Sequence, residues 1–170
     1  MKKLLLIYLV ILPLLSIAQI PQGAGDDSEV IIDFIDSRMG ERVGRGVCFD
    51  LVVAAMREKG YRRWNKRYYQ NNKEFKKHLV EFNEVVSGDI MLFSGVMLKD
   101  GRRISSHIGI VYFISDSLID VAEQNMCERK YSKRIRYDGR RVRVCRDSYV
   151  SVNSFDMREV VKGRIRFYRF

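Results

Sequence analysis

Histidine is scarce in this chain of 170 residues: there are two, His78 and His107. They lie far apart and no Cys-x-x-Cys pair accompanies them, so nothing has the ligand spacing of a zinc site. No glycine-rich phosphate loop is present, because Gly44-x-Gly46 lacks the remaining glycine and the preceding strand. The reading is of a protein without metal or other cofactor. Repeats and low-complexity tracts are missing. Beyond residue 18 no stretch is apolar for the roughly 20 residues that a transmembrane helix needs. Acidic residues run short at one end only. Residues 126–170 hold 14 Lys/Arg against 5 Asp/Glu, whereas residues 19–125 hold 15 against 16.

The first residues read as an export signal. Lys2 and Lys3 precede an apolar run over residues 4–15, broken only by Pro13, and Ser16-Ile17-Ala18 places small residues before a cleavage site at Gln19. Residues 1–18 are therefore expected to be a signal peptide, residues 19–26 a flexible leader, and residues 27–170 a single domain with one core. With the signal removed no stable membrane span remains, and the protein is expected as a monomer, periplasmic or extracellular. The formal net charge of +10 resides in the C-terminal third. For an exported protein such a surface suits an anionic envelope polymer, with no nucleic-acid partner. The plainer alternative is a solubilising face on strands.

Three cysteines in an exported chain leave an odd one. Cys127 and Cys145 flank a loop and are candidates for a disulfide, which makes Cys48 the unpaired thiol. A buried, inert Cys48 is the alternative.

Periodicity predicts a helix over residues 26–39, with Val30, Ile31, Phe34 and Ile35 on its apolar face and Gly40 as its stop. Asp26 and Glu29 resemble an N-cap and its partner. A second helix runs from near Cys48 to about Lys59, with Leu51, Val52, Ala55 and Met56 facing the core and Gly60 ending it. Residues 61–83 are basic and aromatic, with a helical part expected around 73–82. Strands are expected at 90–93, 108–114, 118–125, 141–145 and 163–168, the second and third joined as a hairpin through Ser115-Asp116-Ser117. Helices followed by a run of strands give an α+β fold, the N-terminal helices packed on an antiparallel sheet of about five strands.

Cys48 lies in a glycine-bearing turn, Gly44-Arg45-Gly46-Val47-Cys48, that leads into the second helix. A helix N-terminus and a nearby imidazole are the usual means of turning a weak thiol into a thiolate. His107 opens the strand Ser106-His107-Ile108-Gly109-Ile110-Val111. The next strand ends Glu123-Gln124-Asn125, where alternation sends Glu123 and Asn125 to one face and Gln124 to the other. In a hairpin His107 and Glu123 come near the same end. The carboxylate can then orient one imidazole nitrogen while the other faces the thiol. His78 sits in a basic stretch and reads as a surface residue.

This ordered set resembles the CHAP family, the cysteine- and histidine-dependent amidohydrolases and peptidases of the papain-like NlpC-type superfamily. The matching elements are Gly46-Val47-Cys48, Gly88-Asp89-Ile90, His107-Ile108-Gly109-Ile110-Val111 and Glu123-Gln124-Asn125, which together cover residues 42–125. The resemblance implies a papain-like fold, Cys48 as nucleophile, His107 as general base, Glu123 orienting His107, and Asn125 as an auxiliary polar residue. It implies hydrolysis of amide bonds, with peptidoglycan or another peptide-bearing envelope polymer as the substrate. A non-catalytic envelope-binding module on the same fold and a secreted effector acting on protein remain alternatives.

Overall fold

A computed structural model describes residues 26–62, 64, 73–126, 132–137 and 139–170. The expected signal peptide, nearly all of the leader, most of the basic aromatic segment and Cys127 lie outside the described residues, as does the side chain of the expected N-cap Asp26.

Helix α1 (Asp26–Arg38) buries Ile31 and Ile35, one turn apart, while Val30 stays 43% exposed. The apolar stripe is thus narrower than the sequence pattern suggests. Gly40 (φ 76) turns the chain out of the helix and donates its N–H to the Val150 carbonyl, 2.9 Å away. Helix α2 (Cys48–Glu58) buries Leu51, Val52, Ala55 and Met56 as its periodicity predicts, and Gly60 (φ 95) follows its last turn. The helix expected around residues 73–82 shrinks to α3 (Lys73–Lys76), followed by strand β1 (Leu79–Val80). Pairing with a distant strand overrides local propensity there: Leu79 and Val80 lie opposite Tyr168 and Phe167. His78, read above as a surface residue, is half-buried, stacked on Phe170 with its Nδ1 2.7 Å from the Arg169 carbonyl.

The remaining strands are β2 (Ile90–Leu98), β3 (Arg103–Ser115), β4 (Leu118–Glu123), β5 (Ser132–Tyr137), β6 (Arg140–Cys145), β7 (Ser151–Asp156) and β8 (Val160–Tyr168). Six form one antiparallel sheet in the order β1-β8-β2-β3-β4-β7, and β5 and β6 form a separate two-stranded ribbon. The fold is α+β, with six sheet strands rather than about five. The strand expected at 141–145 belongs to the ribbon. β7 takes the sheet edge beside β4, and its burial does not alternate, so it carries no period-2 signal.

The sheet is apolar on both faces. One face, with Ile90, Leu92, Ile108, Ile110 and Ala122, packs beneath α1 and α2. The other, with Met91, Phe93, Val111, Val121 and Phe155, packs largely on itself. Phe93 on β2 and Phe155 on β7 are three strands apart, about 14 Å in a flat sheet, yet their rings are 5.0 Å apart. The sheet is therefore strongly coiled, which lets one layer of strands enclose its own inner core.

Candidate functional site

Cys48 is the first residue of α2, preceded by Val47 in extended conformation and without any side-chain cap. The uncapped amides leave this helix end electropositive beside the thiol. The turn before it is held from several sides. Gly44 and Gly46 adopt left-handed φ of 57° and 79°, and a Cβ at 44 would sit 2.7 Å from Asp50 Oδ2. Asp50, in the first turn of α2, accepts hydrogen bonds from the Arg45 N–H at 2.6 Å and from the Tyr137 hydroxyl at 2.7 Å. The buried Ser148 hydroxyl donates to the Gly46 carbonyl at 2.5 Å. Phe49 stacks on Trp64 at 5.4 Å, which seats the helix start in the aromatic core.

Gln124 binds this turn most fully. Its side chain donates to the carbonyls of Val43 at 3.0 Å and Val47 at 2.7 Å, and accepts from the Val43 N–H at 3.2 Å. Alternation places it opposite Glu123, so the end of β4 serves His107 on one face and the turn before Cys48 on the other. In the sequence the one mark of Gln124 is a neutral amide set between the two polar residues Glu123 and Asn125.

His107 and Glu123 are 5% and 0% exposed, and Nε2 meets Oε2 in a close ion pair. The β3–β4 ladder pairs Ile110 with Ala122 and Val111 with Val121. Continued by antiparallel register, it sets Gly109 opposite Glu123 and makes His107 the diagonal neighbour of Glu123, within reach of long side chains. Gly109 is required by packing, since a Cβ there would fall 2.5 Å from Val121 Cγ1. The second carboxylate oxygen of Glu123 accepts from Asn153 Nδ2 at 2.8 Å. Asn153 belongs to β7, the strand that periodicity did not show, and no sequence signal pointed to it.

With Nε2 directed to Glu123, the other ring nitrogen is left for Cys48. Burial opposes charging of the His107 ring. Hydrogen bonds to Cys48 and Glu123, with the charges on both, outweigh it, and the pKa is pushed up from 6.5 to about 10. The imidazole is thus held as imidazolium through neutral pH.

Asn125 lies beyond the strand end expected for it. β4 stops at Glu123, and Asn125 takes a left-handed φ of 73°. Its Nδ2 donates to the Arg143 carbonyl at 3.2 Å and its Oδ1 accepts from the Cys145 N–H at 2.7 Å. Both ends of the amide hold the β5–β6 ribbon against the site. The four sequence-derived residues are still brought together. Cys48, His107 and Asn125 line one cavity of about 290 Å³, walled by Phe49, Leu92 and Ile108 on one side and by Tyr137, Val142 and Arg143 of the ribbon on the other. Glu123 lies behind His107. Cys48 is a free thiol and Cys145 is disulfide-bonded. The partner expected for Cys145, Cys127, lies outside the described residues. Among the described residues no cluster of His, Cys, Asp and Glu could hold a metal ion, and no helix is long and apolar enough to cross a membrane.

Gly88-Asp89-Ile90 works at a distance from the cavity. The Asp89 carboxylate is buried and receives two hydrogen bonds of 2.9 Å from the Arg169 guanidinium, plus one from the Val86 N–H. This clamp fixes the end of β8 to the start of β2.

No protein-family model and no curated protein matches the chain. Among solved structures the chain is similar to that of Ly7917, with 14% identity and a TM-score of 0.47 over 83% of this chain and 61% of that one. The chain thus spans less than two thirds of that protein's length.

Proposed function

We propose that this chain is an exported cysteine amidase or endopeptidase of papain-like architecture, acting on peptide amide bonds of peptidoglycan. The observation that carries the reading is the meeting of three groups. Cys48 heads α2, His107 lines the same cavity with its pKa raised by the thiol, and buried Glu123 is ion-paired with the ring. A merely structural histidine needs neither the adjacent thiol nor a carboxylate fully removed from water.

The chemistry is acyl transfer. Cys48 Sγ, as thiolate beside imidazolium, adds to the amide carbonyl carbon. The negative charge that develops on the carbonyl oxygen is received by the Cys48 N–H at the helix end. His107 donates its proton to the amide nitrogen, the C–N bond breaks, and the amine leaves. The neutral ring then takes a proton from water, whose oxygen adds to the thioester carbonyl. Collapse breaks the C–S bond and releases the carboxylic product, restoring thiolate and imidazolium. Glu123 orients the ring throughout. Peptidoglycan is favoured as substrate by the export signal and by the basic ribbon beside the cavity, which suits an anionic polymer.

Incubation of purified peptidoglycan with the protein and with Cys48→Ala, followed by mass spectrometry of the released muropeptides, tests the reading. New fragments from the unaltered protein alone are expected, and their masses name the bond. Identical spectra from both, with the thiol shown to be reduced, would remove it.

A further inference from the structure

The floor of the Cys48 cavity is part of a regular grid. Leu92 on β2 pairs with Ile108 on one side and with Arg166 on the other, and Ser94 pairs with Ser106 and with Arg164. Leu92, Ser94 and their cross-strand partners share one face of the sheet, because residues two apart in a strand point the same way. Leu92, Ile108 and Ser106 line the Cys48 cavity. Ser94, Arg164 and Arg166, with Gly163, line a second and more open depression of about 440 Å³. The two hollows are therefore neighbours on one surface, separated by a single strand spacing.

The second hollow has its own structural cause. β2 and β8 slip register between Ser94 and Met97, and Gly163 there adopts φ 99. A Cβ at 163 would run into the Gly95 carbonyl. The bulge strips side chains from the floor and leaves Arg164 and Arg166 at its margin. Neither guanidinium has an ion-pair or hydrogen-bond partner among the described residues. Two unpaired arginines two residues apart, roughly 7 Å along the strand, present donor forks matched to carboxylates.

We infer that Arg164 and Arg166 form an anion subsite continuous with the Cys48 cavity, which receives a free carboxylate of the peptide substrate close to the bond that is cut. The inference rests on the proposed role of Cys48. The reacting carbonyl sits beside His107 on β3, two strand spacings from the arginines on β8. With a spacing of about 4.8 Å and about 3.4 Å per extended residue, the carboxylate lies roughly three residues from it.

The test uses the full chain carrying Cys48→Ala, which binds without turnover. Titration calorimetry compares a soluble muropeptide bearing free stem carboxylates with the same muropeptide amidated. Amidation is expected to weaken binding by about tenfold or more. R164A/R166A should weaken binding of the free acid as much while leaving the amide where it was, so the two changes do not add. R164K/R166K, which keeps charge without the fork, should fall between. Equal binding of acid and amide overturns the subsite, and so does an alanine pair that binds the acid undiminished. If the alanine pair fails to fold, the acid–amide comparison on the unaltered arginines decides. Cleavage is read separately by mass spectrometry. Turnover without carboxylate preference removes the subsite and leaves the enzyme. Arginine-dependent acid binding without turnover leaves the subsite and removes the enzyme.

Discussion

In the proposed mechanism Glu123 acts only through His107, so its removal should show in proton handling rather than in binding. Glu123→Gln is expected to lower kcat by about 10²-fold or more with little change in KM, and Asn153→Ala, which frees one carboxylate oxygen, should do the same more weakly. Proton NMR of the ring supplies the independent readout. His107 should stay in its imidazolium position past pH 8 in the unaltered protein and titrate earlier in Glu123→Gln. The stability consequence has a definite sign. The folded pKa of about 10 lies above the ordinary imidazole value of 6.5. The His107 contribution is therefore fully present below pH 6.5 and is lost as pH rises toward 10. The urea midpoint should fall over that window, and fall less in Glu123→Gln. A ring that titrates at the same pH in both proteins would show that Glu123 does not hold its proton. Cys48 and Glu123 were legible in the sequence because one begins α2 and the other ends β4. His107, inside β3 rather than at its start, and Asn125, two residues past β4, were legible from the apolar runs beside them. Asn153 was not, since its strand lacks alternation and its contact with Glu123 depends on long-range pairing.

Among the elements, the end of β4 binds the most pieces together. Gln124 satisfies three backbone groups of the turn that presents Cys48. Gln124→Leu should destabilise the fold by about 2–4 kcal/mol, since buried polar groups lose their partners. It should also slow alkylation of Cys48 by iodoacetamide as the turn loosens. Urea unfolding and the alkylation rate check the two effects, and an unchanged rate would show that the turn holds its shape without Gln124. Both main helices were legible from the spacing of Ile31 and Ile35 and of Leu51, Val52, Ala55 and Met56. The ribbon was misread as a sheet strand, because alternation over residues 141–145 is the same whichever partner a strand takes. β1 is two residues long, too short to carry a period at all.

Across the whole molecule, the excess charge seen in the C-terminal third collects at two places beside the cavity. β5 and β6 carry Lys133, Arg134, Arg136, Arg140, Arg141 and Arg143 without an acidic residue, and β8 adds Lys162, Arg164 and Arg166. Attraction to an anionic polymer through such a surface is screened by salt, with a Debye length near 8 Å at physiological ionic strength and about 3 Å at 1 M. Co-sedimentation with insoluble peptidoglycan should therefore fall steeply between those conditions. Salt-independent pelleting would mean that the basic surfaces do not contribute.

β8 lies between β1 and β2, and Ile90 pairs with Tyr168. The strand beside that of His107 thus gains its second neighbour only from a segment synthesised long afterwards. Among the described residues β1 has no other partner in the sheet, and the Arg169 clamp on Asp89 comes later still. Contacts so distant along the chain make folding slow, and they impose an order of events. A nascent chain that already contains Cys48, His107 and Glu123 still has an open sheet, so these side chains are present well before they are set in place. The interior position of β8 works as a timer, delaying a finished site until nearly all of the described chain has been made.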